Sequence, residues 1–180
     1  MDVGMIWGMI MGTRPTWDET FMEICHVLAK RSKDKSRQFG CVIVGPNKEI
    51  RSTGYNCFPR GTDDSQEWKQ ERPVKSHWFC HAERNAIFNA ARVGVALKGC
   101  TLYVNGIPCA DCARAIIQSG IKQVIVDNTD MPERMMENYY HSLLLLLESH
   151  TPLYMTELPI MEAWEQAQPL LQKIGLKLRK

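Results

Sequence analysis

Two cysteines separated by two residues, Cys109 and Cys112, stand at the start of a predicted helix in the segment GIPCADCARAIIQSG. The first turn of a helix exposes unpaired N–H groups and the positive end of the helix dipole, and both lower the pKa of a nearby thiol. Thiolates react in redox dithiols and also bind Zn²⁺. The spacing alone therefore predicts either a redox dithiol or part of a zinc site.

A third candidate ligand, His81, precedes another predicted helix in the segment CHAE. A structural zinc site takes four protein ligands, and the sequence has no second C-x-x-C pair. Three protein ligands and a water are typical of catalytic zinc, which lowers the pKa of that water towards neutrality. If the two helix starts meet at one edge of a sheet, His81, Cys109 and Cys112 form such a site.

Glu83 follows His81 by two residues, and in the first turn of a helix both side chains can reach the same site. We interpret Glu83 as a group that moves protons and does not bind the metal. Taken alone, the segment HAE would indicate an exposed part of a helix, and PCADC would indicate a structural role for its cysteines. Their occurrence together favours a catalytic zinc site. Cys80 is a possible substitute ligand that we interpret as a buried thiol. Three other cysteines are predicted to lie in the core: Cys25, Cys41 and Cys100.

The elements that must position these residues alternate along the chain. Thr16 and Glu19 form a capping-box pattern at the start of the first helix. The predicted order is helix 16–32, strands 39–45 and 50–55, loop 56–79, helix 81–93, strand 101–105, helix 110–119, strand 122–126, helices 133–148 and 164–173, and a closing strand 175–178. This order predicts an α/β fold, a three-layer α/β/α sandwich around a central mixed five-stranded sheet.

The length of 180 residues and a hydrophobic fraction of 44% predict one globular domain over residues 13–180, preceded by a disordered extension over residues 1–12. A net charge of +2 argues against a protein dedicated to nucleic acids or membrane surfaces. The apolar first 15 residues lack the basic region of a secretory signal. With seven scattered cysteines, an odd number, the expected location is the reducing cytoplasm.

Around the zinc motifs the chain resembles the cytidine and deoxycytidylate deaminase superfamily, and especially the deoxycytidylate (dCMP) deaminases. The segments RPTWDETFM, GYN, CHAERNAIFNAARVG and LYVNGIPCADCARAIIQSG carry the resemblance, which covers residues 14–126 with a weaker similarity at 164–178. It implies a cytidine deaminase-like fold and hydrolysis of dCMP to dUMP and ammonia, which supplies dUMP for thymidylate synthesis. It also implies zinc on His81, Cys109 and Cys112, with Glu83 as the proton shuttle.

The resemblance further implies how the nucleotide is held. Asn56 would contact the deoxyribose, and the backbone around Ala82 and Pro108 would hold the edge of the pyrimidine. A monophosphate also needs cations, and the candidates in the predicted loops are Arg37, Arg60 and Lys33.

The family resemblance also suggests regulation and assembly. Its members are often homohexamers that are activated by dCTP and inhibited by dTTP, with Mg²⁺ accompanying the triphosphate. Arg92 matches a position near that effector site. We therefore expect nucleotide effectors and a homo-oligomer, with no membrane partner.

Several positions depart from the family pattern. Cys57 replaces the glycine of GYNG, Asn105-Gly106 stands where threonine is common, and Arg84 replaces an apolar residue. The segment 131–159 matches no family feature and is interpreted as an insert. These departures leave the zinc chemistry intact but allow a deaminase of another or modified nucleotide. Two further alternatives stay open: a deaminase of tRNA or other nucleic acid, and a non-catalytic zinc-stabilised binding module.

Overall fold

The computed structural model describes residues 14–127 and 132–155 of the chain. In chain order the elements are helix α1 (Trp17–Ala29), strands β1 (Gly40–Val44) and β2 (Ile50–Tyr55), a 3₁₀ turn (Glu67–Gln70), the short helix α2 (Lys75–Trp78), helix α3 (Ala82–Val93), strand β3 (Thr101–Val104), helix α4 (Ala110–Gln118), strand β4 (Gln123–Val126), a second 3₁₀ turn (Glu133–Met135), helix α5 (Met136–Glu148) and strand β5 (Leu153–Met155). The predicted extension 1–12, helix 164–173 and strand 175–178 lie outside the described residues.

The five strands form one mixed sheet in the order β2-β1-β3-β4-β5. Strand β1 is antiparallel to both β2 and β3, whereas β3, β4 and β5 are parallel. The mixed five-stranded sheet is confirmed. Its described edge strand is β5, however, in a segment to which the sequence analysis assigned no strand. Three residues are too short to show an alternating pattern, so this strand depends on its pairing with β4.

Helices cover both faces of the sheet. Alternate residues of β1 point to opposite faces, as extended backbone requires. Val42 packs in a cluster with Phe21 and Cys25 of α1. Cys41 and Ile43 face the other way and join the larger cluster, to which α3, α4 and α5 contribute. The predicted three-layer α/β/α arrangement is therefore confirmed.

The first helix begins at the predicted capping box. The Glu19 N–H donates to Thr16 Oγ1 at 3.2 Å, and the Thr16 N–H donates to Glu19 Oε2 at 2.6 Å.

Helix α3 ends at Gly94, which adopts a left-handed conformation with φ of 71°. Glycine adopts this conformation without steric cost, which explains why the helix stops there.

Strand β2 and helix α3 approach each other very closely at Gly54. A Cβ atom on Gly54 would lie 2.4 Å from the carbonyl oxygen of Ala82 and 2.4 Å from the backbone nitrogen of Ala86. Real Cβ atoms do not approach backbone this closely, so only glycine fits here. Because Ala82 is the first residue of α3, this contact also fixes the height of His81 above the sheet.

The predicted loop 56–79 contains the first 3₁₀ turn and α2. Its aromatic side chains pack together: Trp68 and Trp78 meet edge to face with ring centroids 5.7 Å apart, and Lys69 Nζ lies 4.3 Å from the Trp78 ring centroid. The loop is therefore internally packed. Across residues 14–127 and 132–155, every helix is too short or too polar to cross a lipid bilayer.

Candidate metal centre and active site

Three candidate ligands converge where α3 and α4 begin. His81 is the residue immediately before α3, and Cys109 is the residue immediately before α4. His81 Nδ1 lies 3.3 Å from Cys109 Sγ and 3.6 Å from Cys112 Sγ. All three possible ligand atoms lie within 4.8 Å of one another. The structure thus brings His81, Cys109 and Cys112 together, as the two helix starts suggested.

The spacing of these atoms suits a tetrahedral zinc ion. With Zn–S bonds of about 2.3 Å and Zn–N bonds of about 2.0–2.1 Å, a tetrahedral centre separates nitrogen from sulfur by about 3.5 Å. The observed separations of 3.3 and 3.6 Å fall on either side of this value. One imidazole nitrogen and two sulfurs are also ligands that zinc prefers. The residues therefore fit Zn²⁺ held by three protein groups.

The environment of Cys109 favours its thiolate. A hydrogen bond from Cys112 and interactions with His81 lower the pKa of Cys109 to about 3, although burial acts in the opposite direction. His81 has a raised pKa, chiefly because of its hydrogen bond with Cys109. The hydrogen bond with Cys109 and burial raise the pKa of Cys112. Because a metal ion binds thiolates and neutral imidazole, Zn²⁺ binding here would release the protons that the raised pKa values of His81 and Cys112 favour.

Glu83 lies beside the cluster, in the first turn of α3, and is 4% exposed. Burial raises the pKa of its carboxyl group, while the charge of His81 partly opposes that rise. A carboxyl group with a raised pKa can accept and return a proton near neutral pH. Glu83 also lines the cavity described below, so a bound molecule can reach it.

Cys80 lies outside the cluster of candidate ligands. It forms an antiparallel bridge with Cys57: the Cys57 N–H donates to Cys80 O at 3.1 Å, and the Cys80 N–H donates to Cys57 O at 2.9 Å. This bridge ties the start of the loop 56–79 to the residue before His81. The predicted core cysteines Cys25, Cys41 and Cys100 are at most 1% exposed, which confirms their assignment.

A cavity of about 250 Å³ opens onto His81, Glu83 and Cys109. Among the residues predicted from sequence, Arg37 and Asn56 also line it. Its apolar walls are formed by Phe39, Phe79, Ile107 and Tyr139, and further charged lining residues are Asp34, Arg72, Lys75, Arg84, Asp111 and Arg134. Three aromatic rings beside a metal centre suit a flat heterocycle, and the cations suit an anionic substituent.

The Asn56 side chain is largely occupied by its own protein partners. Its Oδ1 accepts the Phe39 N–H at 2.7 Å, and its Nδ2 donates to Asp34 Oδ2 at 3.2 Å and to Arg37 O at 2.9 Å. The second lone pair of Oδ1 can still accept a hydrogen bond from a ligand. Asn56 therefore organises the segment 34–39 at the cavity.

Helix α5 holds the backbone on both sides of Cys109. Ser142 Oγ donates to Pro108 O at 2.7 Å, and the Ala110 N–H donates to Asn138 Oδ1 at 2.9 Å. Asn138 and Ser142 were not predicted from the sequence, because a polar residue in an amphipathic helix gives no local indication of its distant partner. Pro108 is fully buried, so its carbonyl is engaged by the protein itself.

Three residues predicted to bind ligands lie elsewhere. Lys33 and Arg60 line a second cavity of about 300 Å³, and neither lines the cavity at His81. Lys33 pairs with Asp64 at 2.7 Å. Arg92 is exposed in the last turn of α3 and lines neither cavity. Ala82 is fully buried and does not line the cavity at His81, although His81 and Glu83 on either side of it do.

The sequence analysis also missed several cavity cations. Arg72 and Lys75 come from the loop 56–79, and Arg134 comes from the second 3₁₀ turn. Arg84 was noticed as a departure from the family pattern, but its place in the cavity was not anticipated. Aperiodic segments do not show which way a cation points, so only the fold reveals this group.

Comparison with known proteins supports the same interpretation. Residues 15–128 match the family model described as the cytidine and deoxycytidylate deaminase zinc-binding region. The chain is 44% identical over 114 residues to deoxycytidylate deaminase of Pongo abelii and 43% identical over 114 residues to that of Homo sapiens; each match covers 61% of this chain. The chain spans 63% of the length of each of these curated relatives.

The fold resembles a solved structure as well. The dCMP deaminase of the cyanophage S-TIM5, determined in complex with dCMP and dUMP, superposes with a TM-score of 0.66 at 24% identity. The match covers 81% of this chain and 100% of that protein. At this level of identity the likeness concerns the fold alone. Since the family model spans well over half of the sequence, the chain belongs to the cytidine and deoxycytidylate deaminase family, whose zinc-binding region it carries.

Proposed function

We propose that this protein is a zinc-dependent hydrolase that deaminates dCMP to dUMP and ammonia, supplying dUMP for thymidylate synthesis. The observation that carries the proposal is the buried Glu83 carboxyl beside the His81, Cys109 and Cys112 cluster, at the cavity. The names of the two deoxycytidylate deaminase relatives support the substrate.

Zn²⁺ bound by the three residues would lower the pKa of water and so supply a nucleophile at neutral pH. The base is held so that the carbon bearing its amino group faces this water. Glu83 takes the proton that water loses on adding to that carbon. It delivers this proton to the ring nitrogen. Glu83 then takes the second proton from the hydroxyl group now on that carbon and gives it to the amine, which leaves as ammonia while the C=O bond forms. Burial of Glu83 keeps bulk water from competing for the proton.

The cavity walls explain how a pyrimidine nucleotide would be oriented. The rings of Phe39, Phe79 and Tyr139 offer flat apolar surfaces for the base. The remaining lone pair of Asn56 Oδ1 is available to a sugar hydroxyl. We propose the backbone next to Ala82 and Pro108 as the contact for the pyrimidine edge, through His81 and Cys109, which reach the cavity.

We also propose regulation by dCTP and dTTP with Mg²⁺, in a homo-oligomer, up to a hexamer, that acts in the cytoplasm. The second cavity supports an effector site because Arg31, Lys33 and Arg60 line it. Arg31 and Arg60 suit the charge of a triphosphate, and Asp64, once released from its ion pair with Lys33, would offer a carboxylate to Mg²⁺. Arg92 does not line the second cavity, so it would act on the effector from outside that cavity.

The test is ammonia release by zinc-loaded protein from dCMP, CMP, dCTP, 5-modified dCMP and dAMP, each with and without added dCTP or dTTP. A short tRNA anticodon stem-loop and single-stranded DNA serve as nucleic-acid substrates. We expect dCMP to react fastest. Faster turnover of a nucleic acid would overturn the nucleotide assignment. Complete inactivity of the zinc-loaded protein on every substrate would favour a non-catalytic binding module.

A further inference from the structure

Three arginines reach the site cavity from three separate elements. Arg72 belongs to the loop 56–79, Arg84 to the first turn of α3, and Arg134 to the second 3₁₀ turn. Within residues 14–127 and 132–155, no side chain makes a hydrogen bond or an ion pair with these three guanidinium groups. Their convergence therefore is not explained by contacts that stabilise the fold.

Arg84 is the clearest case of the three. Its Nε is buried and has no hydrogen-bond partner within the described part of the chain. A buried guanidinium nitrogen without a partner is costly, and such groups in native proteins call for a specific explanation. Arg84 directly follows Glu83 and faces the same cavity. A ligand placed for reaction at Glu83 is thus within the region that Arg84 lines.

The carboxylates at the cavity offset little of this charge, although Cys112, Cys109 and Asp111 attract the Arg84 guanidinium electrostatically. Asp34 forms a buried ion pair with Lys75. Asp111 pairs with Arg114, which lies outside the cavity lining. Glu83 belongs to the catalytic cluster. The three arginines therefore leave an excess of positive charge that an anionic ligand would neutralise.

We propose that Arg84, together with Arg134 and Arg72, receives the 5′-phosphate of the nucleotide substrate and determines specificity for a phosphorylated substrate. The proposal rests on the proposed deaminase function and replaces Lys33 and Arg60 as phosphate ligands. The planar guanidinium fork binds two phosphate oxygens at once, which a lysine cannot do.

Arg84 stands where the family pattern has an apolar residue, so this part of the phosphate subsite departs from the family. Arg134 lies beyond residue 128, where the match to the family model ends. The second 3₁₀ turn would thereby contribute to substrate binding. The substrate would be clamped between α3 and the second 3₁₀ turn.

The test compares dCMP with deoxycytidine, which lacks the phosphate, in zinc-loaded wild type, Arg84→Leu and Arg134→Leu. Loss of hydrogen bonds to a charged group should raise KM for dCMP about 10- to 100-fold. The kcat/KM for deoxycytidine should change less than about threefold, because the removed partner is absent from that substrate. Arg84→Lys, which keeps the charge without the fork, should give an intermediate KM for dCMP.

Lys122→Leu is the matched control, since it removes one positive charge from an exposed position just before β4, at the opposite end of that strand from the site. It should leave both substrates unaffected. Equal losses for dCMP and deoxycytidine in Arg84→Leu would overturn the proposal, and so would unchanged kinetics for both. Zinc content and melting temperature, measured for each variant, show that the fold and the metal site are retained.

Binding of inorganic phosphate to the zinc-loaded protein, measured by calorimetry, separates this inference from the proposed function. If wild type deaminates no nucleotide but Arg84→Leu and Arg134→Leu weaken phosphate binding, the function is wrong and the anion subsite stands. If wild type deaminates dCMP but neither substitution alters phosphate binding or the KM for dCMP, the subsite alone is wrong.

Discussion

Lys75 Nζ contacts the carboxylate of Asp34 across 41 residues of sequence, and both side chains are 7% exposed. Lys75 also donates to Ser36 Oγ at 2.6 Å, and Asn56 donates to the other oxygen of Asp34 at 3.2 Å. The pair thus joins α2 to the segment after α1, and both residues line the site cavity. It anchors the long loop that forms one wall of the site.

Replacing Lys75 by methionine should reduce the free energy of unfolding by about 3–5 kcal/mol, because the substitution leaves the Asp34 carboxylate buried and uncompensated. Lys33→Met is the matched control: its partner Asp64 is 38% exposed, so the loss should stay below about 1 kcal/mol. Urea denaturation measures both values. The double variant with Asp34→Asn should recover much of the loss, and no recovery would argue against the pair as the cause.

Because of the ion pair between Asp34 and Lys75, the stability of the fold depends on pH. Burial opposes ionisation of Asp34, but hydrogen bonds from Lys75 and from the backbone of Arg37 and Ser36 outweigh it, so the pKa of Asp34 lies below its usual value. A carboxyl group with a lowered pKa stabilises the fold above its unfolded pKa of about 3.9. This stabilisation should disappear as the pH falls through the lower pKa of the folded state. Thermal melting of wild type and Asp34→Asn between pH 6 and pH 3 tests this: the difference in melting temperature should shrink towards acid pH.

Glu83→Gln should lower kcat for dCMP by at least about 10²- to 10⁴-fold, because glutamine is similar in shape but cannot carry a proton. Zinc content should stay at the wild-type value, since Glu83 is not one of the three candidate ligands. Glu23→Gln on the exposed face of α1 provides a charge-matched control with unchanged turnover. Full activity of Glu83→Gln would contradict the proposed proton transfer.

Removal of zinc should lower both activity and stability. A ligand at 100 times its Kd stabilises the folded state by about 2.7 kcal/mol, which corresponds to a melting shift of roughly 5–11 °C for a domain of this size. We expect chelation to lower the melting temperature by such an amount and added Zn²⁺ to restore it. Cys112→Ser should weaken this response to zinc. A melting temperature that changes neither on chelation nor on addition of zinc would count against a metal site at His81, Cys109 and Cys112.

Gly54→Ala should destabilise the protein by about 3 kcal/mol, because the added Cβ would collide with the backbone of Ala82 and Ala86. Moving α3 away from the sheet should also shift His81 and weaken zinc binding. Thr53→Ala, the preceding position in β2, should cost less than about 1 kcal/mol. Denaturation and zinc titration of both variants provide the comparison, and equal behaviour would mean that the close approach is unimportant.

The metal centre could be predicted from sequence because its information is local. His81 and Cys109 both stand directly before helices, and Glu83 and Cys112 follow them within three residues. The fold class followed from the alternation of strands and helices, since parallel strands such as β3 and β4 need a connecting helix.

The remainder of the site depends on distant contacts. The direction of a loop cation is decided by partners such as Asp64 for Lys33, which are far away in sequence. Choosing cations by charge and loop position therefore placed Arg37 correctly at the site cavity, but it also selected Lys33 and Arg60, which line the second cavity, and did not select Arg84 and Arg134, which line the first. Strand β5 was missed for the same reason, because its three residues become a strand only through pairing with β4.

The hydrogen bonds between α5 and the backbone of Pro108 and Ala110 lead us to expect that the matched family region is less stable without α5. A fragment that ends at residue 128, where the family match ends, would uncover the apolar edge of β4 and the buried surface of α4. It would also release the backbone around Cys109. Any recombination or domain-grafting experiment with this protein should therefore carry the segment through residue 155, since the candidate metal ligands depend on a helix that is synthesised after them.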